Sequence, residues 1–250
     1  SQNGRRQIAG RQRGRGPALS FKAGGLLRYA AATVLFVIAP FVAAAQSLPD
    51  WRGVWIAEGL VAEVSGFPGP SAEYKLLGQD APWNEQGMAR VRVARANQAD
   101  QKADGWGFPL MMNAAAPLQF LIAPHETLII NVYRDVRHVY TDGRDHPAEE
   151  DRWRTTWGDS VGRWEGDTLV IDTISVRDPN RYFFSNPPLS DQAHYVERLR
   201  MTAPDRIEST MTIEDPATLS APWVVELDYV RLTGLDRLIH DAYVNDRNEV

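Results

Sequence analysis

Gly158, Ser160 and Gly162 reproduce the Gly-x-Ser-x-Gly spacing with which many hydrolases present a nucleophilic serine. With His194 or His240 as base and Asp215 as carboxylate, this spacing describes a serine hydrolase. An elbow of that kind needs a strand, a sharp turn and then a helix, whereas Arg163 to Ile174 reads as a β-hairpin. The alternative is a strand or bulge relieved by glycine.

A second set of groups comes from strand register. If Arg134-Asp135 is a two-residue turn, Tyr133 pairs with Val136, Asn131 with His138 and Ile129 with Tyr140. Asn131, His138 and Tyr140 then share one face, an amide, an imidazole and a phenol suited to moving a proton on a bound molecule. On the alternative reading this face meets solvent while Leu128, Ile130, Val132 and Val139 fill the core.

Carboxylates on apolar faces are the third candidate. Glu197 alternates in phase with Tyr195, Leu199 and Met201, and Asp172 lies between Val170 and Ile174. An inward carboxylate must find a partner or hold its proton, and either state serves binding or acid–base work. A purely internal ion pair, with Arg144 or Arg163, satisfies the same pattern. These considerations make His138, Tyr140 and Glu197 the catalytic candidates. In the polar loop Asp142-Gly143-Arg144-Asp145-His146-Pro147, turn chemistry accounts for the first two residues. Arg144 and His146 remain as groups able to bind an anion or a carbonyl at a barrel mouth, unless the loop is simply solvated. Trp164 would line a cavity if its strand face points inward. The five histidines show no close paired spacing, so no metal site is expected, and no cofactor motif stands out.

The elements that must position these groups are short apolar runs broken by turn residues, the pattern of successive antiparallel strands. Strands are expected over Trp51–Ala57, Leu118–Ala123, Thr127–Tyr133, Val136–Thr141, Thr156–Trp164, Thr168–Val176, Ala193–Met201, Arg206–Glu214, Trp223–Leu232 and Arg237–Val244. Turns fall at Glu165-Gly166-Asp167, Ala203-Pro204-Asp205 and Thr233-Gly234-Leu235. Ten strands in meander order exceed what a flat sheet of this size holds, so an all-β, mainly antiparallel barrel is expected. Residues 59–116, rich in Gly, Pro and Ala, read as an insertion packed over the sheet, with one helix from about Asn84 to Gln101 capped by Asn84.

The chain has 250 residues and no cysteine, which excludes disulfide scaffolds, thiolate metal centres and thiol nucleophiles. All seven charged groups before Asp50 are basic. They precede an apolar run from Ala30 to Val42 and the small residues Ala43-Ala44-Ala45, the layout of a secretory signal peptide over residues 1–45. A retained membrane anchor is the alternative, although the run is short for a span. Setting aside those 45 residues and their seven basic groups leaves 205 residues with 20 Lys and Arg against 32 Asp and Glu, a net charge of −12. Such a body repels phosphates, so nucleic acid is not an expected partner. With export and no stable span after cleavage, the expected location is the periplasm or beyond.

Gly158 to Val170, read Gly-Asp-Ser-Val-Gly-Arg-Trp-Glu-Gly-Asp-Thr-Leu-Val, resembles the central motif of a large family of secreted bacterial lipocalin-like proteins. Tyr140 to Pro147, Val196-Glu197-Arg198, Thr212 to Pro216 and Pro222-Trp223 match further pieces. Gly53-Val54-Trp55 is similar to the Gly-x-Trp signature in which a tryptophan closes a lipocalin barrel. The resemblance implies an exported, lipocalin-like barrel over residues 46–250 and carries no activity with it. Many relatives have His where Asp159 stands, so an activity that depends on that His does not carry over to this chain; Asp159 is counted among the ligand-binding candidates with Asn131, Arg144, His146, Trp164 and Asp172. The function expected is binding of a small apolar or aromatic molecule in the barrel. A cofactor-independent isomerase or lyase in the same cavity is the alternative, with the serine hydrolase behind it.

Overall fold

The computed structural model describes residues 49–60, 74–96, 106–114, 116–133, 135–178, 187–235 and 237–238. The leader over 1–45, His240 and most of the strand expected over Arg237–Val244 lie outside the described residues.

Among the described residues ten strands form one sheet: β1 (Trp55–Ala57), β2 (Leu118–Ile122), β3 (Glu126–Asn131), β4 (Val136–Tyr140), β5 (Asp159–Glu165), β6 (Thr168–Ile174), β7 (His194–Ala203), β8 (Arg206–Glu214), β9 (Trp223–Glu226) and β10 (Tyr229–Arg231). Neighbours follow chain order from β1 to β9, and β10 lies beside β1 while also pairing with β8. That last contact closes β1 to β8 and β10 into a nine-strand barrel, with β9 continuing along β8. The fold is the all-β barrel expected. One pair departs from the meander: β4 and β5 run parallel, and residues 141–158 cross over between them.

The run expected as one strand over Trp223–Leu232 is two strands. The Leu227 N–H donates to the Ser209 carbonyl at 2.8 Å, and the Asp228 carboxylate accepts the Ser209 N–H at 3.3 Å. At Ser209, therefore, β8 changes partner: Thr210 to Ile213 pair with β9, and Arg206 and Ile207 pair with β10. The break in the strand is what allows the barrel to close.

The insertion supplies the helix α1 (Glu85–Ala96), whose start is held by the Asn84 side chain accepting the Gly87 N–H at 2.9 Å. Its following part enters the barrel rather than lying over the sheet. Phe108 and Leu110 to Asn113 are all buried, the Tyr229 hydroxyl donates to the Met112 carbonyl at 2.8 Å, and Phe108 meets Tyr195 edge-on at 4.9 Å. At the β1 end, Trp55 is fully buried beneath the Arg231 guanidinium. Among the described residues no helix is long and apolar enough to cross a membrane.

Candidate functional site

The β3–β4 hairpin decides which side chains face inward. Val136 pairs with Ile130 rather than with Tyr133, a slip of three residues from the two-residue turn expected. Its cause is local. The Asn131 side chain accepts the N–H groups of Tyr133 and Asp135 at 2.9 and 3.1 Å, and its amide donates to the Asp135 carboxylate at 2.7 Å. The same Asp135 oxygen takes the Trp106 N–H at 2.8 Å. This side-chain network widens the turn at the expense of ladder bonds. Burial pushes the Asp135 carboxyl up, against the hydrogen bonds it accepts.

An odd slip turns every side chain over. Thr127, Ile129, Asn131, Arg137 and Val139 are buried, while His138 is outside. His138 Nδ1 lies 2.5 Å from Glu126 on the barrel exterior, and Tyr140 is half-buried beneath the Arg144 guanidinium at 4.1 Å. Glu197 is 1% exposed in the interior. His138 and Tyr140 thus lie side by side on the outside, ring centroids 6.3 Å apart, but Glu197 is not with them, and Asn131 is a buried turn-forming group on the opposite face. The alternative core of Leu128 and Ile130 is also replaced, because these two are only half-buried.

The partner of Glu197 is Arg137, not Arg144 or Arg163. Arg137 Nη2 reaches Glu197 Oε2 at 2.5 Å and Thr173 Oγ1 at 2.7 Å, and its Nε donates to Ser160 Oγ at 3.2 Å. Its guanidinium carbon lies 4.1 Å from the Phe108 ring centroid. Ser160 is consequently a buried strand residue whose hydroxyl is shared between Arg137 and Thr173. The helix an elbow needs is absent, since β5 turns directly into β6. The motif glycines have steric reasons: a Cβ on Gly162 would stand 2.8 Å from Val139 Cγ1, and one on Gly158, at φ +73°, would stand 2.6 Å from the Ile174 carbonyl. Arg163 bonds Glu165 on the exterior, and Trp164 packs edge-on against Trp51 at 5.5 Å.

Three candidates do converge, at the end of the barrel where β5 and β7 begin and β6 and β8 finish. The pairings set Asp159 opposite Ile174, and His194 opposite Glu214. Asp172 stands on the same outer face one step further in. His146, from the β4–β5 connection, places Nδ1 2.5 Å from Asp159 Oδ1 and Nε2 3.0 Å from Asp172 Oδ1. His194 Nε2 approaches the same Asp172 oxygen at 2.8 Å, with Glu214 4.0 Å from its Nδ1. Burial by itself raises the Asp172 carboxyl, but the hydrogen bonds from the two imidazoles win and hold it well below the carboxylate range. Burial likewise opposes a charge on His146, and the bonds to Asp172 and Asp159 outweigh it and raise its pKa. His194 is raised chiefly by its bond to Asp172.

Beside this cluster lies a cleft of about 100 Å³ lined by Glu149, Arg152, Arg154, Ile174, Ser175, Asp191, Gln192 and Ala193. Arg154 pairs with Asp191 at 2.8 Å. Ser175 holds φ +59°, an uncommon conformation for a residue other than glycine. From the sequence alone His194 enters only as a base for Ser160, and Arg137 gives no signal of its place. The alternation around Tyr195 places His194 outward, but the neighbours it meets depend on a β6–β7 register joined by a long connection. Among the described residues no group of His, Asp and Glu is arranged to hold a metal ion.

No protein-family model matches this chain, and neither a curated protein nor a solved structure matches it.

Proposed function

We propose that this is an exported β-barrel protein that binds a small molecule at the rim, in the cleft beside His146, Asp172 and His194. We further infer that it belongs with the secreted lipocalin-like proteins its motifs resemble, and that residues 1–45 are removed on passage to the periplasm or beyond. The observation that carries the rim reading is the contrast between interior and edge. Ile129, Arg137, Val139, Thr173, Leu199, Met211, Phe108 and Met111 are all 0% exposed, so no water-sized space touches them. The rim keeps an open cleft and half-buried charged groups. At about 100 Å³ the cleft lies below the roughly 300 Å³ at which drug-sized pockets begin, so it takes a small molecule or one end of a larger one. Two arginines, two carboxylates, Gln192 and Ser175 against Ile174 and Ala193 favour a polar ligand with an apolar edge over a wholly apolar guest.

A second reading, proton transfer on the bound molecule, is favoured by the sharing of Asp172 between two imidazoles, which supplies an acid beside the cleft. Mass spectrometry of small molecules released from the exported protein tests binding. A compound retained by the native protein and lost from an Arg152→Ala, Gln192→Ala variant supports the rim site. Equal retention by both, or none by either, refutes it.

A further inference from the structure

We propose that His146 is a proton-operated clasp that fastens the β4–β5 connection onto the barrel rim and so determines whether the cleft wall is in place. The inference rests on the cleft being the binding site only for its functional consequence.

Ionised carboxylates accept hydrogen bonds and donate none, and a neutral imidazole has one N–H. Each ring nitrogen of His146 faces a carboxylate oxygen, Asp159 at 2.5 Å and Asp172 at 3.0 Å. Both nitrogens can donate only in the imidazolium form. Loss of the proton puts a nitrogen lone pair against a carboxylate, and one of the two bonds must open. The surrounding charges favour the closed form: Asp159 from β5 and Asp172 from β6 touch the ring, and Glu214 from β8 lies behind His194. His194 from β7 acts against it as a second proton carrier on Asp172. Arg144, on the connection itself, is paired with Asp142.

The clasp matters because the connection has few other fastenings. Among the described residues, between Thr141, whose N–H donates to the His125 carbonyl, and Arg154, which pairs with Asp191, the ties to the strands are the Arg144 guanidinium over Tyr140 and His146. Glu149 and Arg152, which line the cleft, lie in that interval. Releasing His146 therefore frees one wall of the cleft, whereas the strands that carry Ile174 and Ala193 keep their ladders.

Ring ¹⁵N–¹H NMR of the mature protein between pH 5 and 9, assigned by loss of the signal in His146→Gln, reads the clasp directly. The expected result is a His146 ring that keeps both protons to a higher pH than a free imidazole does. Amide exchange of peptides covering 147–153, corrected for base catalysis, should quicken by roughly tenfold as that ring deprotonates, reflecting local opening. His146→Gln should show the fast exchange at every pH. Asp159→Asn, whose amide can accept from the imidazolium or donate to the neutral ring while the bond to Asp172 stays, is the control if His146→Gln does not fold, and should abolish the quickening as the ring deprotonates. A ring that loses its second proton no later than a free imidazole, or exchange indifferent to the titration, overturns the proposal. Neither readout needs a ligand. A clasp that titrates as described in a protein retaining no small molecule would leave this inference standing and remove the binding reading, and the converse result would do the opposite.

Discussion

The ion pair at the centre of the barrel makes the most demanding prediction. Arg137 is 0% exposed and Glu197 1%, joined at 2.5 Å, and the remaining bonds of Arg137 go to the neutral hydroxyls of Thr173 and Ser160. Glu197→Leu leaves a guanidinium in an apolar interior with no counter-charge, a change that costs about 3–5 kcal/mol. Against a total stability of about 5–15 kcal/mol for a single domain, that is a large fraction. At roughly 2–4 °C per kcal/mol for a domain of this size, the melting temperature should fall by roughly 6–20 °C. Adding Arg137→Met removes the stranded charge. Because a buried pair replaced by apolar groups of similar volume is often neutral or better, the double variant should recover most of the loss. Urea unfolding followed by tryptophan fluorescence measures both. A single variant within about 1 kcal/mol of native, or a double variant no more stable than the single, would refute the claim that a desolvated charge dominates this interior.

Ser160→Ala should behave as a core change. It removes the partner of Arg137 Nε and should cost about 1–3 kcal/mol, while a fluorophosphonate should label neither variant nor native protein. Gly158→Ala should destabilise by more than about 1 kcal/mol, since the left-handed backbone and the Ile174 carbonyl both oppose a Cβ; calorimetry showing no loss would contradict the close approach. The rim titrations shape stability against pH. His146 and His194 are raised on folding, so their contribution is complete below their unfolded value near 6.5 and disappears as pH climbs through the folded values. Asp172 is lowered, so its contribution is complete above 3.8 and disappears as pH falls through its folded value. Urea midpoints should therefore peak between those pH limits, and Asp172→Asn should flatten the profile on both sides.

The strands were legible because their signal is local. Apolar alternation broken by Gly, Pro and Asp located nearly every strand from Leu118 to Glu214 within a few residues, and Asn84 marked the start of α1. The Glu165-Gly166-Asp167 hairpin was readable for the same reason, a short turn between two alternating runs. The broken strand at Leu227-Asp228 was hidden, because Asp228 replaces a ladder bond with a side-chain bond to Ser209 and leaves the apolar pattern intact.

The sequence by itself determined that the body is all-β, acidic and free of cysteine, and that Glu197, Asp172 and His146 needed partners. Only the tertiary structure decided which partners they took. Asn131 and Asp135 widened one turn and slipped one hairpin by three residues, which sent Arg137 inward to Glu197 and His138 outward to Glu126. The parallel β4–β5 step carried His146 across to two carboxylates from neighbouring strands. Residue types and alternation are properties of single strands, whereas register and crossover depend on pairs of strands whose hydrogen bonds compete with side chains. The rim site is built from that second kind of information.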